Sequence, residues 1–403
     1  MTSARARILW TLVLCLLLAW GIGQAQSGAD QPYVVLVSLD GFRYDYAARD
    51  KARNLLAIRD NGASARSLIP VFPSLTFPNH TSIITGLYPE HHGIVANGFF
   101  DPMRRMAFDG SKSTSDGSWY SGTPLWVLAE QQGMRAASDF WLGSDGVIDG
   151  VRPSYWLPFD DSVPAEKRME QVLTWLHLPA AQRPHFLTLY LSDADHAGHG
   201  YGPDALETRR AVAQLDQVIG KLRDGIQALG LAVNLIVVSD HGMQATDRVV
   251  DLRRYADLSK VRVISSGPVA LIYAPDGELR EKTYRALKGK GRPFDVYRRE
   301  ETPAEWHYTD NPRIGDLVVV ARQPGDVVAR DTKPRKGNHG YDPRRFPTMQ
   351  GIFYAIGPNI RPRARVESFE NIHIYPLVAR ILGLRPPEKL DGSAVVLEPV
   401  YRP

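Results

Sequence analysis

Four short runs along the chain, at 33–39, 185–191, 234–239 and 351–356, are apolar at nearly every position and rich in β-branched residues. Without the polar alternation of a half-exposed strand, such runs read as strands buried on both faces, the habit of parallel sheets. Between them the period changes. Across 205–229, Leu206, Val212, Leu215, Val218, Ile219 and Leu222 recur at the three-and-four spacing of a helix with one apolar stripe. Strands alternating with helices predict a doubly wound α/β core around a mostly parallel sheet. The stretch from about 282 to 336 is richer in charge and proline and reads as an insertion over the active-site face.

The first residues follow another pattern. Arg5 and Arg7 precede an apolar run over 8–22, and Gly23-Gln24-Ala25 supplies small residues for cleavage, which together read as an export signal over 1–25. The mature catalytic chain is then 26–403, in the periplasm or secreted. The only cysteine, Cys15, lies inside that run, so no disulfide can form afterwards and the fold must stand on its core. No later segment is apolar for long enough to span a membrane. The net charge of +4, without a long basic run interleaved with aromatics, argues against polymeric nucleic acid and leaves small anions open.

Chemistry enters where the strands end. The first run closes on Asp40-Gly41, the second is followed by Asp193, Asp195, His196 and His199, and the third by Asp240-His241. Open parallel sheets bind ligands outside the carboxyl ends of their strands. A later loop, Gly337-Asn338-His339-Gly340, offers another imidazole. Singly, each acid is more often a turn or helix cap. Gathered on one edge, carboxylates and imidazoles are neutralised by divalent metal, and mixed nitrogen and oxygen donors suit zinc. Thr76 lies between Pro73 and Pro78, just ahead of an expected helix start over 81–85. The free N–H groups of a helix start favour an anion there, but a capping threonine would sit in the same place.

Several segments, in order, resemble the nucleotide pyrophosphatase/phosphodiesterases of the alkaline phosphatase superfamily. They are residues 37–43, 72–80, 86–94, 97–102, 195–202, 238–243 and 337–341. The resemblance covers most of the chain from about 33 to 395 and implies that superfamily's fold. It implies one zinc held by Asp195, His199 and His339, and a second held by Asp40, Thr76, Asp240 and His241. Asp193 and His196 are left as supporting residues, and His80, His91, His92 and His373 receive no role.

The family's activity implies that Thr76 attacks phosphorus to give a phospho-threonine that water then hydrolyses. Asn97, helped by the backbone N–H after Thr76, would donate to a phosphoryl oxygen. Phe77 and Tyr155 resemble the pair of rings that sandwiches a nucleobase, a stacking worth about 1–3 kcal/mol. Monoesterases of the superfamily carry serine and an arginine for the extra charge, whereas this sequence has threonine and no arginine beside it. That points to nucleotide diesters or pyrophosphates, with release of nucleoside monophosphate. Rival readings are a diesterase for lipid-like or choline esters, a phosphonate or monoester hydrolase, and a metal-binding surface protein without turnover. A choline pocket would need an aromatic cage with acidic residues. The cysteine-rich and nuclease-like domains of animal members have no counterpart, so the resemblance implies the catalytic unit.

Overall fold

All seven residues of β1 (Tyr33–Leu39) are buried, because helices cover both sides of the strand. Tyr33, Val35, Val37 and Leu39 point into one apolar layer and Val34 and Leu36 into the other, the period-two division that any strand imposes. The computed structural model describes residues 31–110 and 112–403, so the export segment expected over 1–25 lies outside the described residues.

In chain order the further strands of the two larger sheets are β2 (Ala63–Ala65), β3 (Ala136–Asp139), β4 (Tyr155–Leu157), β5 (Phe186–Leu191) and β6 (Val233–Val238). They are followed by β7 (Arg262–Ser266), β8 (Val269–Tyr273), β9 (Phe294–Arg298), β10 (Leu317–Ala321), β11 (Phe353–Ile356) and β12 (Arg365–Val366). The main sheet has the order β12-β2-β11-β6-β1-β5-β3-β4. β1 is parallel to β5 on one side and β6 on the other, with Leu39 opposite Leu191 and Ser38 opposite Val238. That register brings Asp40, the residues after Leu191, and Asp240 out side by side at the carboxyl edge.

The helix read over 205–229 is observed as Leu206–Ala228, with Val212, Leu215, Val218, Ile219 and Leu222 buried against the sheet. Leu206, its first residue, is exposed. No helix among the described residues is long and apolar enough to cross a membrane.

One expectation needs correction. The fourth apolar run is a strand, but β11 runs antiparallel to both β6 and β2. The chain has already crossed to the carboxyl edge to deliver His339, so it re-enters the sheet from that edge and must run the other way. The stretch read as an insertion over 282–336 overlaps a second sheet. It is a four-stranded antiparallel sheet, β7-β8-β10-β9, starting at Arg262. One of its faces, with Ala270, Ile272, Leu317 and Val319, forms a local core with Tyr284 and Leu287. The other face, with Val269, Leu271, Val318 and Val320, joins the core of the main sheet. It is therefore packed into the domain and does not stand apart.

Candidate metal centre

The edge of the sheet carries two clusters of ligand-type atoms. Asp40, Asp240 and His241 form one, and Asp195, His199 and His339 the other, each with its ligand atoms within 4.8 Å of one another. Asp40 follows β1 directly, and Asp240 follows β6 after Ser239. Asp195 and His199 lie four apart on the helix Asp193–Tyr201 and so share a face. His339 arrives from the loop before β11. Asp40, Asp240, His241 and His339 are buried. The His241 and His339 rings stack at 3.6 Å, so the clusters touch. Gly41 permits the close approach of β1 to that helix: its φ is +68°, and a Cβ there would lie 2.8 Å from the Asp195 backbone.

The hydrogen bonds behind these residues fix which atoms face inward. The Nδ1–H of His199 donates to the Gly337 carbonyl at 2.8 Å, that of His241 to Gly242 at 2.9 Å, and that of His339 to Ser74 at 3.1 Å. Every imidazole thus keeps its Nε2 lone pair for the cluster, the arrangement in which a carbonyl orients a metal-binding histidine. Those lone pairs meet other acceptors, although Arg335 Nη1 also lies 3.1 Å from His199 Nε2. The Nε2 atoms of His199 and His339 are 3.1 Å apart, and His241 Nε2 lies 3.0 Å from Asp240 Oδ2 and 3.3 Å from Asp40 Oδ1. Buried carboxylate oxygens Asp40 Oδ1, Asp195 Oδ1 and Asp240 Oδ2 have no hydrogen-bond partner. Such an array is repulsive without a positive species at its centre.

The acid-base balance agrees. Burial, reinforced by Asp240 and Asp195, pushes the Asp40 carboxyl well up. Burial would also lower His241, but the adjacent Asp240 carboxylate outweighs it and raises the imidazole. Burial, with His241 and His199 as neighbours, holds His339 well below the usual range, so it stays a neutral donor. The residues present therefore fit two divalent cations of a kind that accepts mixed nitrogen and oxygen donors.

Thr76 stands beside the first cluster. It is the first residue of the helix Thr76–Thr85; the capping position is held by Leu75, and no side chain caps the helix. The Thr76 hydroxyl lies 3.2 Å from His241 Nε2, inside the metal cluster. The capping reading of this threonine does not hold. Its backbone is tied from behind by His80, whose Nδ1 bonds the Thr76 carbonyl at 2.9 Å and whose Nε2 bonds Ser38 Oγ at 2.9 Å.

Asn97 meets the same helix start. Its Oδ1 accepts the Phe77 backbone N–H at 2.9 Å, which turns Nδ2 away as a donor. The amide after Thr76 is therefore already bonded, and Asn97 Nδ2 is left free of that contact. Asn97→Asp keeps the acceptor and loses that donor. It is expected to lower kcat/KM on a phosphodiester by about 10²–10³-fold, as loss of one donor to a developing charge does. Steady-state kinetics checks this.

Tyr155 is not brought to this site. It opens β4 at the far edge of the sheet, where its ring lies 6.4 Å from Trp175 and its hydroxyl donates to the Gln182 carbonyl at 3.0 Å. Phe159 lies two residues beyond the end of that strand. That ring is 42% exposed and packs on Phe140 and Tyr190 at 5.0 and 5.8 Å. Tyr190 in turn donates its hydroxyl to Asp40 Oδ2. Sequence reading passes over Tyr190, although a hydroxyl near the end of an otherwise apolar strand has to find a partner when buried.

The remaining residues fall outside the clusters. Asp193 starts its helix, and His196 lies 3.6 Å from Asp161 on the surface. His91 pairs with Asp391, His92 is buried against Ser82, and His373 accepts from the Ser393 amide.

Fold and site together define an α/β protein with a paired metal-ligand centre and an alcohol seated in it at a helix start. The sequence pattern of type I phosphodiesterase / nucleotide pyrophosphatase matches residues 34–342. The chain is 36% identical to ectonucleotide pyrophosphatase/phosphodiesterase family member 1 of Rattus norvegicus over 94% of its length, which is 44% of that relative. It is likewise 36% identical to the venom phosphodiesterase CdcPDE of Crotalus durissus collilineatus, over 93% of this chain and 47% of that one. It thus spans a little under half the length of these curated relatives. The structure of murine ectonucleotide pyrophosphatase/phosphodiesterase 5 superposes with a TM-score of 0.87 and 32% identity, covering 92% of this chain and 100% of the other. An inactive form of that mouse protein, with a threonine replaced by alanine, has been solved with AMP. The chain belongs to the type I phosphodiesterase / nucleotide pyrophosphatase family.

Proposed function

We propose that this chain hydrolyses nucleotide phosphodiesters or pyrophosphates and releases nucleoside monophosphate by way of a phospho-threonine at Thr76. The observation that carries this reading is the Thr76 hydroxyl, 3.2 Å from His241 Nε2 at the start of a helix. Asp40, Asp240 and His241, with the Thr76 hydroxyl, would hold one zinc; Asp195, His199 and His339 would hold the other. Bound zinc would supply Lewis-acid charge and lower the pKa of the hydroxyl.

The chain's own groups do the rest. The Thr76 hydroxyl gives up its proton to solvent and Oγ1 forms the bond to phosphorus, while the ester oxygen leaves with its electron pair and takes a proton from solvent. Asn97 Nδ2 donates to a phosphoryl oxygen, and the helix start favours the anion. His80 keeps the threonine backbone in place. Water then cleaves the phospho-threonine and restores the hydroxyl. The relatives' names, ectonucleotide and venom enzymes, and the signal pattern over 1–25 support an exported protein.

A nucleobase would stack on Phe77, which lines the cavity over the site, and Phe159 takes over the part expected of Tyr155. Phe77→Ala and Phe159→Ala are each expected to cost about 1–3 kcal/mol in kcat/KM on a dinucleotide, and much less on bis(p-nitrophenyl) phosphate. Tyr155→Ala should move both substrates alike. Equal losses on both substrates in the two phenylalanine variants would overturn the base-stacking reading.

A further inference from the structure

The segment that carries Phe159 has no burial of its own. Every residue over 156–164 is exposed, and the strand pairing that begins it ends at Leu157. The Asp160 carboxylate accepts the Ser162 N–H at 2.9 Å and its hydroxyl at 2.6 Å, which shapes the turn without tying it to the core. Ser192, ahead of the helix Asp193–Tyr201, reaches it with a hydroxyl 3.3 Å from Asp161. A turn held so lightly would present its ring in many positions.

Arg168 supplies the firmer anchor. It lies on the helix Ala165–Leu176, whose Met169, Val172 and Leu176 are buried against the main sheet, and it is itself only 5% exposed. Its Nε donates to the Val163 carbonyl at 3.2 Å, Nη1 to the Tyr190 carbonyl at 3.4 Å, and Nη2 to the Asp160 carbonyl. The guanidinium carbon lies over the Phe159 ring, 5.1 Å from its centroid, a cation–π contact. Asp139 lines a cavity with Arg168, but among the described residues no carboxylate comes within ion-pair distance of the guanidinium. A buried cation without a counter-charge is costly. Here its planar fork is spent on carbonyls, and it binds together the pieces that own them. Those pieces are the segment bearing Phe159 and β5 at Tyr190, whose hydroxyl donates to Asp40 Oδ2.

We propose that Arg168 is a positioning residue that fixes Phe159 relative to the metal centre and so sets the preference for substrates that carry a nucleobase. The inference rests on the base-stacking reading of Phe159 and adds the group that makes that ring effective. Phe140 and Tyr190 meet the ring at 49° and 71°, so neither lies flat on it, and only the guanidinium is placed over its face. A ring already fixed loses little freedom when a base stacks on it, whereas a loose one must be ordered on binding. Loss of Arg168 therefore weakens substrate binding and leaves the bond-breaking step alone.

A double-mutant cycle on the zinc-loaded protein tests this, with a dinucleotide and bis(p-nitrophenyl) phosphate as substrates. Arg168→Met keeps the apolar stem and removes the fork. It should raise KM for the dinucleotide by about fivefold or more with kcat within about twofold, and change kcat/KM for the aryl diester by under about twofold. In a Phe159→Ala background the same substitution should cost under about twofold more, because residues that act as a unit are not additive. Arg168→Lys keeps the charge without the fork and should fall between wild type and Arg168→Met on the dinucleotide. Equal losses on both substrates, or losses that add fully in the double variant, would overturn the positioning role. If Arg168→Met does not fold, Arg168→Lys with and without Phe159→Ala carries the same cycle and the same two outcomes. The base reading fails separately. Phe159→Ala moving both substrates alike would overturn that reading and the inference with it, whereas a selective Phe159→Ala beside an unselective Arg168 variant would overturn the inference alone.

Discussion

Thr76→Ala is expected to lower turnover of every phosphodiester by at least about 10³-fold, because no neighbouring group can replace the attacking oxygen. The loss should come with little change in folding. Leu75, not Thr76, occupies the capping position of the helix, and alanine is well tolerated inside a helix. Metal content should also survive, since Asp40, Asp240 and His241 remain together and three protein ligands hold a zinc with one open position. Thr76→Ser should keep part of the activity, because the hydroxyl beside His241 is retained. Steady-state rates paired with metal analysis read these outcomes. An alanine variant turning over at near wild-type rate would remove Thr76 from the chemistry. Rapid acid quenching should trap phosphate on Thr76 of the wild type, and its absence when hydrolysis of the intermediate is slow would argue for direct attack by water.

Exhaustive chelation should abolish activity, and added zinc should restore it. Three buried carboxylate oxygens, Asp40 Oδ1, Asp195 Oδ1 and Asp240 Oδ2, lack partners, and the His199 and His339 Nε2 atoms face each other at 3.1 Å. Cations bound only by the folded state stabilise it by mass action, by about 4 kcal/mol at a free concentration a thousand times Kd. Chelation should therefore lower Tm as well as rate, which a purely catalytic ion bound weakly would not do. Metal analysis should give about two ions per chain, one for each ligand cluster. His339→Ala should lose about one of them, because it withdraws a donor from only one cluster. Asp193→Ala should keep both, since that residue starts its helix outside the clusters. Activity that survives chelation would sink the metal assignment.

Much of this architecture could be read from local pattern. The runs behind β1, β5 and β6 are apolar because both faces of those strands are covered, and that requirement acts residue by residue. The acids and imidazoles that follow them were visible for the same reason: a polar residue directly after a buried strand must emerge at its end. The four-residue spacing of Asp195 and His199 is a helical fact, legible without a fold. Direction and partnership are not local. The run over 353–356 has the composition of a parallel strand, yet it runs antiparallel, because only the path of the preceding loop decides from which edge the chain enters.

Tyr155 and Phe159 differ by four positions in a short aromatic stretch. Tyr155 is held away from the site by its edge pairing with Ala137, which composition does not encode. The sequence around Thr76 contains no arginine, but Arg335 comes to the neighbouring cluster from far along the chain. Charge near a reacting centre is a property of distance in space, and contacts between residues this far apart along the chain are set only when the sheet, its helices and the inserted strands close over one another.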